Sequence, residues 1–181
     1  MDPLKIIQKY YDKKSVAYEI LCVHSAAVAK KALALADRVA HLNPDRQFIR
    51  EAAMLHDIGM IKTNAPKIGC HGEYPYIMHG ILGREMLDTE GLPRHALVCE
   101  RHTGVGITAA DIEAQNLPLP KRDFVPVTLE EQIICFADKF FSKNPAKLRR
   151  ERSIEEVKRT IYPHGEDKVK KIDEWVNFFN L

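Results

Sequence analysis

The chain has 181 residues, 45% of them hydrophobic and 29% charged, with a formal net charge of +2, a composition that fits one soluble domain with its own core. So small a charge excess, with basic and acidic residues interleaved, argues against a nucleic-acid patch or an anionic membrane surface as partner. No apolar run approaches the roughly 18 residues of a membrane span, the N-terminus lacks a signal-peptide pattern, and the scattered Cys22, Cys70, Cys99 and Cys135 predict buried thiols in a reduced cytoplasm.

Asp2-Pro3 predicts an N-cap and first-turn proline opening a short helix through Tyr11. From about Cys22 to Ala40, Val28, Ala32, Leu35 and Val39 form the apolar stripe of a longer helix that carries His24. Asn43-Pro44 is expected to start the next helix, whose core face of Phe48, Ala52 and Leu55 delivers His56 and Asp57 at its C-terminal end, with Gly59 letting the backbone turn away. Residues 60–74 lose periodicity around Pro66, Gly69 and Gly72, the mark of a loop. Helices are then expected from Tyr76 to about Glu90 and from Arg94 to His102, with one short helix near Thr108 inside a proline-punctuated stretch. Thr128-Leu129-Glu130-Glu131 and Ser153-Ile154-Glu155-Glu156 predict capping boxes. Between them, the basic stretch Lys147–Arg152 reads as a solvated turn. The last helix, about Gly165 to Phe179, presents Val169, Ile172, Trp175, Val176 and Phe179; its aromatic end, with Phe178, suits either intramolecular packing or a homodimer contact. No alternating strand pattern appears. The expected fold is all-α, a compact helical bundle in a single domain over residues 1–181.

Each inner helix brings an imidazole or a carboxylate: His24, His56 with Asp57, His79, His102 and Asp138. Alone, each histidine is an ordinary helix residue. Asp138, between Ala137 and an aromatic pair, is harder to place, because an isolated buried carboxylate is costly and Lys139 is not expected to face it. Helical bundles build metal sites from inward side chains of this kind.

The order His24, His56-Asp57, His79, His102, Asp138 resembles the metal-binding signature of the HD superfamily of phosphohydrolases, in the extended form with two additional histidines. Leu55-His56-Asp57-Ile58-Gly59, His79-Gly80, His102-Thr103-Gly104 and Ala137-Asp138-Lys139 carry the likeness, which spans about residues 20–143. It implies that His24, His56, Asp57 and Asp138 hold one ion and His79 and His102 a second, with Asp57 bridging. The ligand types suit iron or manganese first, then zinc, cobalt or nickel. Such a pair of ions supports hydrolysis of a phosphoester or phosphoanhydride, with Asp57 and Lys62 as catalytic residues. Lys62, His71, Arg101, Thr103 and Lys139 are the candidates for binding a small phosphorylated, nucleotide-like substrate. The small stand-alone members, including those that split diadenosine tetraphosphate symmetrically, are most similar. The Gly-Tyr-Pro of the cyclic-dinucleotide subgroup is absent, Glu73-Tyr74-Pro75 standing instead, which argues against cyclic-di-GMP. Two rivals remain: an HD-fold di-iron oxygenase, distinguished by its need for redox-active iron and oxygen, and a non-catalytic nucleotide sensor, disfavoured by the intact ligand set.

Overall fold

The computed structural model describes residues 1–181 and is a bundle of nine α-helices. The first, α1 (Pro3–Tyr10), is capped by the Asp2 carboxylate, which accepts from Leu4 N. Helix α2 (Val16–Arg38) starts earlier than its alanine-rich stripe suggests, because the Ser15 hydroxyl accepts from Tyr18 N and caps it. Asn43 closes a 3-10 turn in the left-handed conformation, so Asp45 rather than Asn43 caps α3 (Arg46–Leu55).

A 3-10 turn (Ile58–Lys62) follows, then a hairpin of two-residue strands, β1 (Asn64–Ala65) and β2 (Cys70–His71), antiparallel with Asn64 opposite His71. These strands correct the strand-free expectation; two residues are too few to leave a period in the sequence. A 3-10 turn (Tyr76–Met78) leads into α4 (His79–Thr89), packed against α5 (Pro93–Arg101). The short α6 (Ala109–Gln115) begins with a complete Thr108–Asp111 capping box. Helix α7 (Leu129–Lys139) has only half the expected one. Thr128 Oγ1 accepts from Glu131 N, but the Glu131 carboxylate accepts from Val127 N and from Arg101. Helices α8 (Ile154–Ile161), with the complete Ser153–Glu156 box, and α9 (Glu166–Phe178) close the bundle.

The apolar interior forms two clusters. One joins α2 from Val28 onward with Val39 just past its end, Phe48–Ala53 of α3, Val98, and α7 with α8 and α9; the other joins α1, the start of α2, Leu55, Ile58, Met60, Leu87 and Cys99. On the C-terminal helix, Trp175 and Phe179 are buried against Phe136, while Phe178 is exposed. Three of the cysteines are buried and all four are unpaired; burial pushes the Cys135 thiol up to about 12, so it acts as a small apolar group. No helix is long and apolar enough to cross a membrane.

Candidate metal centre

The seam between the two apolar clusters runs through α2 after Leu21, through the end of α3 and through α5 between Val98 and Cys99. His24, His56-Asp57 and His102 sit at those places. His56 and His102 each stand one residue past a helix end, where terminal carbonyls lack intrahelical partners. His56 Nδ1 donates to Ala53 O, His102 Nδ1 to Cys99 O and His79 Nδ1 to Tyr76 O, each at 2.7 Å. A carbonyl can only accept, so these bonds place the ring proton on Nδ1 and point the Nε2 lone pair inward.

The inward atoms converge on Asp57, which is fully buried. Its Oδ2 lies 2.9 Å from His56 Nε2 and 3.2 Å from His24 Nε2. Its Oδ1 lies 3.3 Å from His102 Nε2 and 3.4 Å from His79 Nε2. Asp138 Oδ1 completes the first group, 2.9 Å from His24 Nε2 and 3.5 Å from His56 Nε2. The ligand atoms of His24, His56, Asp57 and Asp138 lie within 4.8 Å of one another, as do those of Asp57, His79 and His102.

Divalent ions fit this donor set. Ligands held about 2.1 Å from one ion stand roughly 3.0–3.4 Å apart at octahedral or tetrahedral angles, close to these separations. His56 Nε2 and Asp57 Oδ1 are buried without a hydrogen bond, and Asp57 Oδ2 has only the Lys143 ammonium to offset its charge, an arrangement that is costly unless a further cation lies among them. His79 and His102 present two Nε2 atoms 3.1 Å apart, and with both protons committed to Nδ1 these lone pairs need a positive partner. Burial lowers the His79 imidazole to about 3, so it stays a neutral ligand. Without an ion, the Asp57 and Asp138 carboxylates outweigh the desolvation of burial and raise His56 to about 9, so an ion taken at His56 Nε2 displaces a proton. Burial would also raise Asp57, yet His56 and Lys143 hold it well below the usual carboxylate range.

Local packing fixes these positions. Tyr11 Oη donates to Ile58 O at 2.8 Å and accepts from Ile61 N at 3.0 Å, pinning the turn after Asp57 to the end of α1. Gly59 has no left-handed backbone; it permits a close approach, since a Cβ there would fall 2.1 Å from His79 O and 2.2 Å from Gly83 N. This corrects the expected turning role. The Tyr76 ring stacks on His79 with centroids 4.7 Å apart.

The cations at the cluster are Lys143 and Lys139. Lys143 Nζ lies 2.7 Å from Asp57 Oδ2, and Lys139 Nζ lies 2.7 Å from Asp138 Oδ2 while donating to His102 O at 3.1 Å. Lys139 therefore does pair with its neighbour, because α7 ends at that residue and the side chain can fold back. Lys62 is exposed and forms no ion pair with the cluster; Lys143 stands where a lysine was expected. Arg101 is engaged by Glu131 at 3.0 and 3.1 Å. His71 is exposed on β2, and Thr103 is half-buried in the turn after His102. Sequence reasoning did not single out Lys143, which lies beyond α7 in a segment without periodicity, or Tyr11.

A cleft of about 640 Å³ opens between the Ala65–Ile68 turn and residues 142–145, with Tyr76 and Lys143 in its wall. Its size is that of a small-molecule site.

A family model for the HD domain matches residues 22–143. A tRNA (cytidine(56)-2'-O)-methyltransferase of Picrophilus torridus is 38% identical over 131 residues, 72% of this chain and 34% of that protein. An uncharacterized protein of Methanocaldococcus jannaschii is 39% identical over 128 residues, 69% of this chain and 68% of that one. The corresponding methyltransferase of Thermoplasma volcanium is 26% identical over 162 residues, 89% of this chain and 43% of its own length. The match thus spans less than half of either methyltransferase. Among solved structures, the HD domain of the L. monocytogenes phosphodiesterase PgpH superposes with a TM-score of 0.55 at 18% identity, covering 98% of this chain and 97% of that one. Its complex with cyclic-di-AMP gives 0.53 at the same identity, covering 98% and 95%. At that identity the likeness is one of fold.

Proposed function

The chain belongs to the HD-domain family, and from that premise we propose that it is a metal-dependent phosphohydrolase acting on a small nucleotide-like substrate. The observation that carries this reading is the division of Asp57, with Oδ2 toward His24, His56 and Asp138 and Oδ1 toward His79 and His102. Such a carboxylate can hold two ions side by side. A pair of divalent ions bound by these six residues supplies an activated water and a Lewis acid for a phosphoryl group. Iron and manganese suit the mixed nitrogen and oxygen ligands best.

The chain's own groups do the rest. The Lys143 ammonium sits on Asp57 Oδ2 and the Lys139 ammonium on Asp138 Oδ2, from where they can take phosphoryl oxygens and the negative charge that grows on them. This is the role expected of Lys62, Arg101 and Lys139, of which Lys139 lies at the cluster. Tyr76, stacked on His79, forms a wall of the cleft beside Lys143. The methyltransferase activity named for two relatives belongs to proteins far longer than the matched segment. The cyclic-di-AMP complex of the L. monocytogenes domain is a precedent for a nucleotide on this fold; the cleft size supports one here.

Protein reconstituted with manganese or iron and offered phosphomonoesters, cyclic dinucleotides and diadenosine tetraphosphate tests the reading. Metal-dependent product release, abolished in Asp57→Ala, is expected, with two equivalents of ADP marking symmetric cleavage of the tetraphosphate. No release with any metal would overturn it. Turnover that requires both iron and oxygen would favour the oxygenase chemistry instead.

A further inference from the structure

Beside the cleft lies a smaller concavity of about 210 Å³ with no hydrophobic lining, built from Ser142, Lys147, Arg150, Arg152, Arg159 and the α8 residues Glu156 and Thr160. Four cations face one acid. That acid is committed, since Glu156 pairs with Arg150 and accepts from Ser153 N in its capping box. Arg152 donates to the carbonyls of Lys139 and Phe141 at 3.1 and 3.0 Å, which anchors the concavity to the C-terminal end of α7 beside Asp138. Lys147 and Arg159 are exposed and have no carboxylate partner in any ion pair. In a chain of net charge only +2, this is a local excess that calls for an anion.

The concavity and the cleft share Ser142. One peptide unit, about 3.8 Å, separates Ser142 from Lys143, whose ammonium reaches Asp57. At about 210 Å³ the concavity is below the range of ordinary small-molecule sites, yet it has the arginine forks and point charge that recognise phosphate. We propose that it is a second phosphate subsite, so that the substrate carries one phosphoryl group at the metal centre and another on Lys147, Arg150, Arg152 and Arg159. The preferred substrate class is then a doubly phosphorylated nucleotide rather than a monophosphate. The stretch Lys147–Arg152, expected to be a solvated turn, is a binding element in this account.

The inference rests on the hydrolase reading only for which group is cleaved, and the two can fail separately. Binding to manganese-loaded protein is measured by calorimetry for AMP, ADP and adenosine 3′,5′-bisphosphate, with the double variant K147Q/R159Q beside the unaltered chain. Both substituted positions are exposed, and thermal melting confirms that the variant folds. The bisphosphate or ADP is expected to bind about tenfold more tightly than AMP, and the double variant is expected to lose that advantage. Equal affinity for all three ligands, no binding of any, or an advantage that survives in the variant would overturn the subsite. If the advantage holds while no phosphoester is turned over, the subsite stands and the hydrolase reading falls.

Discussion

The Lys143 ammonium stands 2.7 Å from Asp57 Oδ2, the same oxygen that lies 2.9 Å from His56 Nε2. A cation of the chain thus shares the carboxylate oxygen that would face an ion placed among His24, His56 and Asp138. Its replacement by methionine should act in two directions. Ion affinity should rise, because a competing charge is removed, while kcat/KM for a phosphoester should fall about 100-fold, the scale for one lost electrostatic contact to a transition state. Metal titration and steady-state kinetics on one preparation measure both. Unchanged kinetics would remove Lys143 from the reaction.

Gly59 is packed so closely on α4 that any side chain meets backbone atoms of His79 and Gly83. Backbone cannot rotate away as a flexible side chain can, so Gly59→Ala should cost about 3 kcal/mol, the upper part of the range for overpacking. The strain falls on His79, so ion binding at the His79–His102 side should weaken more than at the other side. Urea unfolding and metal analysis test this; an Ala variant as stable as the parent would contradict the packing account.

Asp111 caps α6 and pairs with Lys168 at 2.6 Å, tying that helix to α9. Burial works to raise its carboxyl, but Lys168 and the Thr108 hydrogen bonds prevail and hold it below the ordinary value. The folded state therefore favours the ionised form. The resulting stability is fully present above the unfolded carboxylate pKa of about 4 and is lost as pH falls through the lower folded value. Asp111→Asn should cost about 1 kcal/mol at pH 7, and the difference from the parent should shrink as pH falls below the unfolded carboxylate value. A cost that is independent of pH would show that the charge is not what stabilises this cap.

The six ligand candidates were gathered by their likeness to the HD signature, since each histidine alone is an ordinary helix residue; periodicity placed them on or beside inner helices, and only the buried acid Asp138 demanded a partner by itself. Lys143 was not legible, since it lies past the end of α7 where only the folded turn brings it to Asp57. Gly59 illustrates a different limit. Its residue type signals a constraint, but only the packed structure tells whether the constraint is a turn or a close approach. Glu131 fitted the capping-box spacing and instead accepts from Val127 N and pairs with Arg101, a partner 30 residues away that local sequence could not weigh. The all-α class followed from the periodicity, whereas the β1–β2 hairpin has strands too short to carry any.

The most direct measurement is the metal content of the protein after iron or manganese loading, compared across Asp57→Ala, His79→Ala and the unaltered chain. With Asp57 shared between two ligand groups, about two ions per chain are predicted for the parent, one for His79→Ala and none for Asp57→Ala. A parent that binds no ion, or an Asp57→Ala variant that keeps both, would contradict the account.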